Sequence, residues 1–168
     1  MLTTDDPAKG KPAWELDCGS EIVAPPLAEG DRAWIATRGG KLLAVDLAGR
    51  RIDWSVEAPG GVIAAPALTA DTVFVATAAG QVLAFARADG KLRWTFSAEG
   101  PISGGIAVDP GRVFFGCKDG NLYVVEAGSG TLLWRFKTRA AVNGAPRIHD
   151  GLLLVGSDDG QLYAIDVR

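Results

Sequence analysis

A chain of 168 residues, 48% hydrophobic and 22% charged, has the composition of one folded domain with a sizeable core, which excludes wholesale disorder. A net charge of −3 and a pI near 5.1 leave no electrostatic footprint for DNA or RNA, and no basic run exceeds Arg50-Arg51. No apolar run approaches the roughly 18 residues of a membrane span, and Met1 to Asp6 carries no signal-peptide pattern. The expectation is a cytoplasmic protein or a domain excised from a longer exported chain.

In chain order, the same elements return four times. Trp14, Trp54, Trp94 and Trp134 are spaced 40 residues apart, as are Gly40, Gly80, Gly120 and Gly160, and Thr37, Thr77, Cys117 and Ser157. A fixed period in this range signals a repeat architecture. Each repeat opens on a small, apolar strand, as in Ile22 to Leu27, Val62 to Ala67, Ile102 to Ala107 and Val142 to Arg147. A turn follows, at Gly30-Asp31, Ala70-Asp71, Pro110-Gly111 and Asp150-Gly151. The second strand is the most hydrophobic (Ala33 to Ala36, Val73 to Ala76, Val113 to Gly116, Leu153 to Gly156), and it ends in a hairpin on the phased glycine. Asp-Gly there supplies the positive φ that tight hairpins demand. The third strand runs over Leu42–Val45, Val82–Phe85, Leu122–Val125 and Leu162–Ile165, and the fourth carries the tryptophan.

Period-2 patterning and the absence of any sustained helical period predict an all-β protein of four-stranded antiparallel meanders. One such sheet cannot bury both faces, whereas radial packing of several sheets can. Ala24, Ala64, Gly104 and Gly144 are small where backbones would converge on an axis. The expected fold is a β-propeller, a single domain over 1–168 with repeats at about 20–58, 60–98, 100–138 and 140–168. The last repeat lacks its fourth strand, and Lys11 to Cys18, carrying Trp14, is expected to supply it. Supplied within one chain, that strand gives a four-bladed monomer. Exchanged between two chains, it gives an eight-bladed homodimer, the preferred expectation.

The run from Ala84 to Trp94 (AFARADGKLRW) and that from Val124 to Trp134 (VVEAGSGTLLW) resemble the tryptophan-docking motif of quinoprotein-type, PQQ-like propeller repeats. Asp46 and Asp166 hold the motif's acidic position, Glu126 substitutes there and Ala86 departs from it. In the first repeat Ala48-Gly49-Arg50 shifts the glycine by one. The resemblance covers residues 6 to 166. It implies that Trp14, Trp54, Trp94 and Trp134, with Gly40, Gly80, Gly120 and Gly160, hold blades together. It also implies a choice of functions, since the family includes quinone-dependent alcohol dehydrogenases, outer-membrane-assembly lipoproteins and sensor domains of bacterial Ser/Thr kinases. A dehydrogenase of that kind would resemble a catalytic Asp beside Ca²⁺ with a ring of adjacent cysteines. Cys18 and Cys117 are far apart and read as two separate thiols.

No catalytic, cofactor or metal site is expected. His149 has no second His or Cys nearby, and Asp158-Asp159-Gly160 reads as turn chemistry before a Ca²⁺ site. Trp34, aligned with Phe74, Phe114 and Leu154, reads as core. In a meander propeller the interblade loops share a side with the second-to-third-strand hairpins. That side collects Glu21, Arg38, Glu57, Glu99, Lys118, Arg139, Asn143, Asp158 and Asp159. Read simply this is a solvated rim; read for function it is a face for a protein or peptide partner. The leading reading is a non-catalytic interaction, scaffold or sensor module. A purely structural or engineered ring is the alternative, and a remnant of a quinone-dependent dehydrogenase ranks third.

Overall fold

The computed structural model describes residue 10 and residues 12–168. Lys11, and the stretch from Asp6 that opens the repeat, lie outside the described residues. The described chain holds strands and no helix. The first blade is β1 (Leu27–Glu29), β2 (Arg32–Ala36), β3 (Lys41–Asp46) and β4 (Arg51–Glu57). The second is β5 (Ala67–Leu68), β6 (Thr72–Ala76), β7 (Gln81–Ala86) and β8 (Leu92–Ser97). The third is β9 (Ile106–Val108), β10 (Arg112–Gly116), β11 (Asn121–Glu126) and β12 (Leu132–Lys137). The fourth has three strands, β13 (Arg147–His149), β14 (Leu152–Gly156) and β15 (Leu162–Asp166). Every sheet is an antiparallel meander in sequence order. The pairing repeats at the same phase: Ala44 faces Trp54, Ala84 faces Trp94 and Val124 faces Trp134, with a register shift just beyond each.

One expectation needs correction. The innermost strands begin later than their apolar pattern suggests. Ile22 and Val62 make only isolated bridges, to Thr37 and Thr77, and the ladders start at Leu27 and Ala67. Pro25, Pro26, Pro66 and Pro146 sit just before those starts and cannot donate to a ladder. Among the described residues of this single chain, 12–18 lie outside the strands and β15 has β14 as its one hydrogen-bonded neighbour. Among the described residues, then, the sheets do not close into a ring within one chain.

The core consists of seams between blades. Each blade turns one face forward and one backward. Trp34, Ala36, Leu42 and Ala44 of the first blade pack on Val62, Val73, Val75 and Phe85 of the second. Phe74, Val82, Ala84 and Trp94 then pack on Phe115, Tyr123 and Val125. Phe114, Leu122 and Val124 pack on Val142, Leu153 and Val155. Within the second seam Phe115 and Tyr123 stack with centroids 5.4 Å apart, and Phe96 meets both edge-on at 5.7 Å. Near the axis the small residues allow close approach. A Cβ on Gly104 would stand 2.6 Å from the Gly144 carbonyl oxygen, so a larger residue would force neighbouring blades apart.

Candidate functional site

The β2–β3 hairpin and its counterparts, together with the loops that enter each blade, form one rim. Their frame repeats. Arg38 N donates to Glu21 O at 2.7 Å, Ala78 N to Gly61 O at 3.0 Å, Lys118 N to Pro101 O at 2.9 Å and Asp158 N to Ala141 O at 2.9 Å. Gly40, Gly80, Gly120 and Gly160 close these hairpins at φ between 80° and 85°, with N–H bonds of 3.0–3.1 Å to Thr37, Thr77, Cys117 and Ser157 carbonyls. Thr37 and Thr77 also accept the Lys41 and Gln81 N–H groups through Oγ1, both at 3.2 Å. Backbone geometry is thus the same in four blades, while the side chains it carries differ.

On the first blade Arg38 Nε pairs with Glu21 Oε2 at 2.6 Å. The second hairpin carries only Ala78 and Ala79, both exposed. On the third, Arg135 Nη1 pairs with Glu99 Oε1 at 2.7 Å, and Tyr123 OH donates to Asp119 Oδ2 at 2.5 Å. Burial pushes the Tyr123 phenol up, and Asp119 adds to that. On the fourth, Asn143 Nδ2 donates to Asp158 Oδ2 at 2.6 Å, and Ser103 Oγ reaches across from the neighbouring blade to Asn143 Oδ1 at 2.5 Å. Asp159 accepts from Arg139 N at 3.0 Å, Gln161 N at 3.0 Å and Tyr163 OH at 2.7 Å. Desolvation opposes ionisation of Asp159, but those donors prevail and hold its carboxyl below the usual range. Glu57, Lys118 and Arg139 are exposed on the same rim. Asp158 and Asp159 are thus occupied by protein donors rather than aimed together at a cation site. His149, on the opposite end of its blade, is exposed with Asp150 Oδ2 3.5 Å from its Nε2.

The seams carry a second repeated device. Trp54 Nε1 donates to Arg87 O at 3.3 Å, and Trp94 Nε1 to Ala127 O at 2.9 Å, each acceptor lying in the next blade. The indoles rest on glycine. A Cβ on Gly90 would stand 2.8 Å from Trp54 Cε3, and one on Gly130 would stand 2.6 Å from Trp94 Cε3. Both glycines have φ of +72°, so a turn residue with a side chain is disfavoured twice over. Trp134 is half-buried, and the carbonyl at the matching position, Val167 O, accepts from Arg112 Nη2 at 2.7 Å instead. Trp14 is half-buried. At the seat that Trp14 would need by phase stands Arg50, with φ of +55°. Trp34 is fully buried, with the Arg87 guanidinium 4.5 Å above its ring centroid.

A family model described as outer membrane protein assembly factor BamB matches residues 2–102 and 79–168, which together take in nearly the whole sequence. The chain belongs to the BamB family of PQQ-like repeats. No curated protein gives a significant sequence match. Among solved structures, BamB from Moraxella catarrhalis superposes with a TM-score of 0.83 at 24% identity, over 92% of this chain and 53% of that one. The computationally designed Ika4 protein superposes with a TM-score of 0.81 at 17% identity, over 90% of this chain and 94% of that one. The designed Ika8 protein gives 0.75 at 18% identity, over 87% and 46%. This BamB-family chain therefore spans about half the length of the BamB structure it resembles.

For a BamB-family repeat, the sequence reading named the hairpin glycines as docking residues. The glycines beneath the indoles are Gly90 and Gly130, legible only as part of the motif leading to each tryptophan. In sequence Leu162 and Ile22 are strand residues like their counterparts in the other repeats. Their chemistry is ordinary, and only their exposure sets them apart.

Proposed function

We propose that the chain is a non-catalytic interaction scaffold that offers its hairpin rim to a protein or peptide partner. One observation carries this reading. Four hairpins share the same backbone hydrogen bonds to their entering loops, yet present Glu21 and Arg38, then two alanines, then Glu99 and Lys118, then Arg139, Asn143, Asp158 and Asp159. A rigid frame with side chains that vary from repeat to repeat is how solenoid and propeller scaffolds build recognition surfaces. On this rim Asp159 and Asp119 are held below their usual range despite desolvation, by the donors bonded to them, which suits charge recognition better than proton transfer. The assembly-factor description of the matching family agrees with a scaffold role.

The test places a photo-crosslinking residue at Arg38, Lys118 or Arg139 on the rim, and at Asp89 or Lys91 on the opposite end, in the chain's own cells. A discrete protein adduct from rim positions alone is the expected result. Equal capture from both ends, or none from the rim, would overturn the reading in favour of a purely structural element.

A further inference from the structure

The chain builds the same seam three times and leaves its two halves open at opposite ends. Leu42, Val82 and Leu122 are fully buried beneath the following blade, whereas Leu162, at the same phase, is 72% exposed. Ala44, Ala84 and Val124 are likewise covered, and Ala164 is exposed. Leu154 is half-buried where Trp34, Phe74 and Phe114 are fully so. At the other end the mirror deficit appears. Val62, Ile102 and Val142 are no more than 3% exposed beneath the preceding blade, while Ile22 is 50% exposed. Ile35 is half-buried, although Val75, Phe115 and Val155 are buried. Among the described residues the outer edge of β15 pairs with nothing, and such a row of backbone groups is the usual template for strand addition.

We infer that the open forward face of the fourth blade receives the backward face of the first blade of a second copy, and that residues 12–18 of that copy pair with β15. The occupant is a second copy because the two open faces are the two complementary halves of one seam. Leu162 and Leu154 stand where Leu122 and Phe114 meet Val142 and Val155, and Ile22 and Ile35 stand where Val142 and Val155 receive them. The pairing register follows from the other blades, in which Gln81 faces Ser97, Asn121 faces Lys137, and Ala84 faces Trp94. Continued by 40 residues, it sets Gln161 opposite Asp17, Leu162 opposite Leu16 and Ala164 opposite Trp14.

Such a head-to-tail contact makes a closed ring only if its rotation closes, and otherwise a filament. Four blades that superpose at a TM-score of 0.83 on about half of a longer propeller share its blade-to-blade rotation. One copy then spans about half a turn, and two copies close it with eight blades and two identical seams. This inference uses a different surface from the hairpin rim, so either can fail while the other stands.

Light scattering at micromolar concentration should return the mass of two chains of 17.5 kDa each. Leu162→Glu should return one chain's mass with unchanged circular dichroism, because that side chain is exposed in the single copy. A rim variant, Arg38→Glu, should leave the mass at two chains. Oxidation of Asp17→Cys/Gln161→Cys should then lock a covalent dimer, absent from either single variant. A parent of one chain's mass, a series of larger species, a dimer indifferent to Leu162→Glu, or a cross-link confined to one chain would each overturn the inference.

Discussion

Replacing Gly130 by Ala probes the seam between the second and third blades where the Trp94 indole rests on it. The added Cβ would lie 2.6 Å from Cε3 and 2.7 Å from Cδ2 of Trp94, about 0.8 Å short of ordinary contact. The indole cannot yield that distance freely, because Phe74 lies 5.7 Å from it on one side and Nε1 is tied to Ala127 O at 2.9 Å. A shift of that size breaks the hydrogen bond, worth about 1 kcal/mol, and overpacks a buried site, at about 1–3 kcal/mol. The φ of +72° adds about 1–2 kcal/mol for any residue with a Cβ. The expected loss is therefore about 3–6 kcal/mol, at least as large as the ~3–5 kcal/mol expected for Trp94→Ala itself. In a Trp94→Ala background the three nearest atoms, all of the indole, are gone, and Gly130→Ala should cost little beyond the backbone share, about 1–2 kcal/mol. Gly128→Ala, two residues away, meets nothing within 4 Å and should stay within about 0.5 kcal/mol of the parent. Urea denaturation followed by far-ultraviolet circular dichroism gives all four values from midpoints at constant m. Strict additivity of the two substitutions, or a Gly130→Ala loss no larger than that of Gly128→Ala, would refute the seat.

Arg50→Gly should stabilise by up to about 1 kcal/mol, since relief of a strained positive φ outweighs the extra freedom of the unfolded glycine; a lower urea midpoint would contradict it. Stability should fall at alkaline pH. Burial raises the Cys117 thiol above 9.0 and, with help from Asp119, the Tyr123 phenol above 10.0. Their contribution is complete below those ordinary values and is lost as pH rises through the raised ones. Tyr123→Phe should flatten part of that decline in midpoints measured from pH 7 to 11, and an unchanged slope would exclude Tyr123 as its source. Both cysteines are free and buried, with Cys117 Sγ directed at Pro101 O at 3.4 Å. A thiol reagent should therefore titrate two groups at once in unfolded, unreduced protein and react slowly with the native chain.

The repeat, the strand identities and the hairpin glycines were legible in sequence because they depend on local rules. Period-2 hydrophobicity, Asp-Gly turns and a 40-residue recurrence of tryptophan act within one blade or between neighbours, and they recur whatever surrounds them. The start of the inner strands was misjudged because apolar residues alone do not make a ladder; prolines at 25, 26, 66 and 146 withhold donors that only the pairing reveals. The glycines beneath Trp54 and Trp94 belong to the recurring motif, but their role as seats was not legible, since the ring that demands each arrives from 36 residues earlier in the chain. Tertiary structure alone decided which surface remained open. Leu162 and Leu122 are the same residue at the same phase, one exposed and one buried, and nothing local separates them. The difference is whether another blade stands in front, and that is settled by the rotation between sheets rather than by the residues within one.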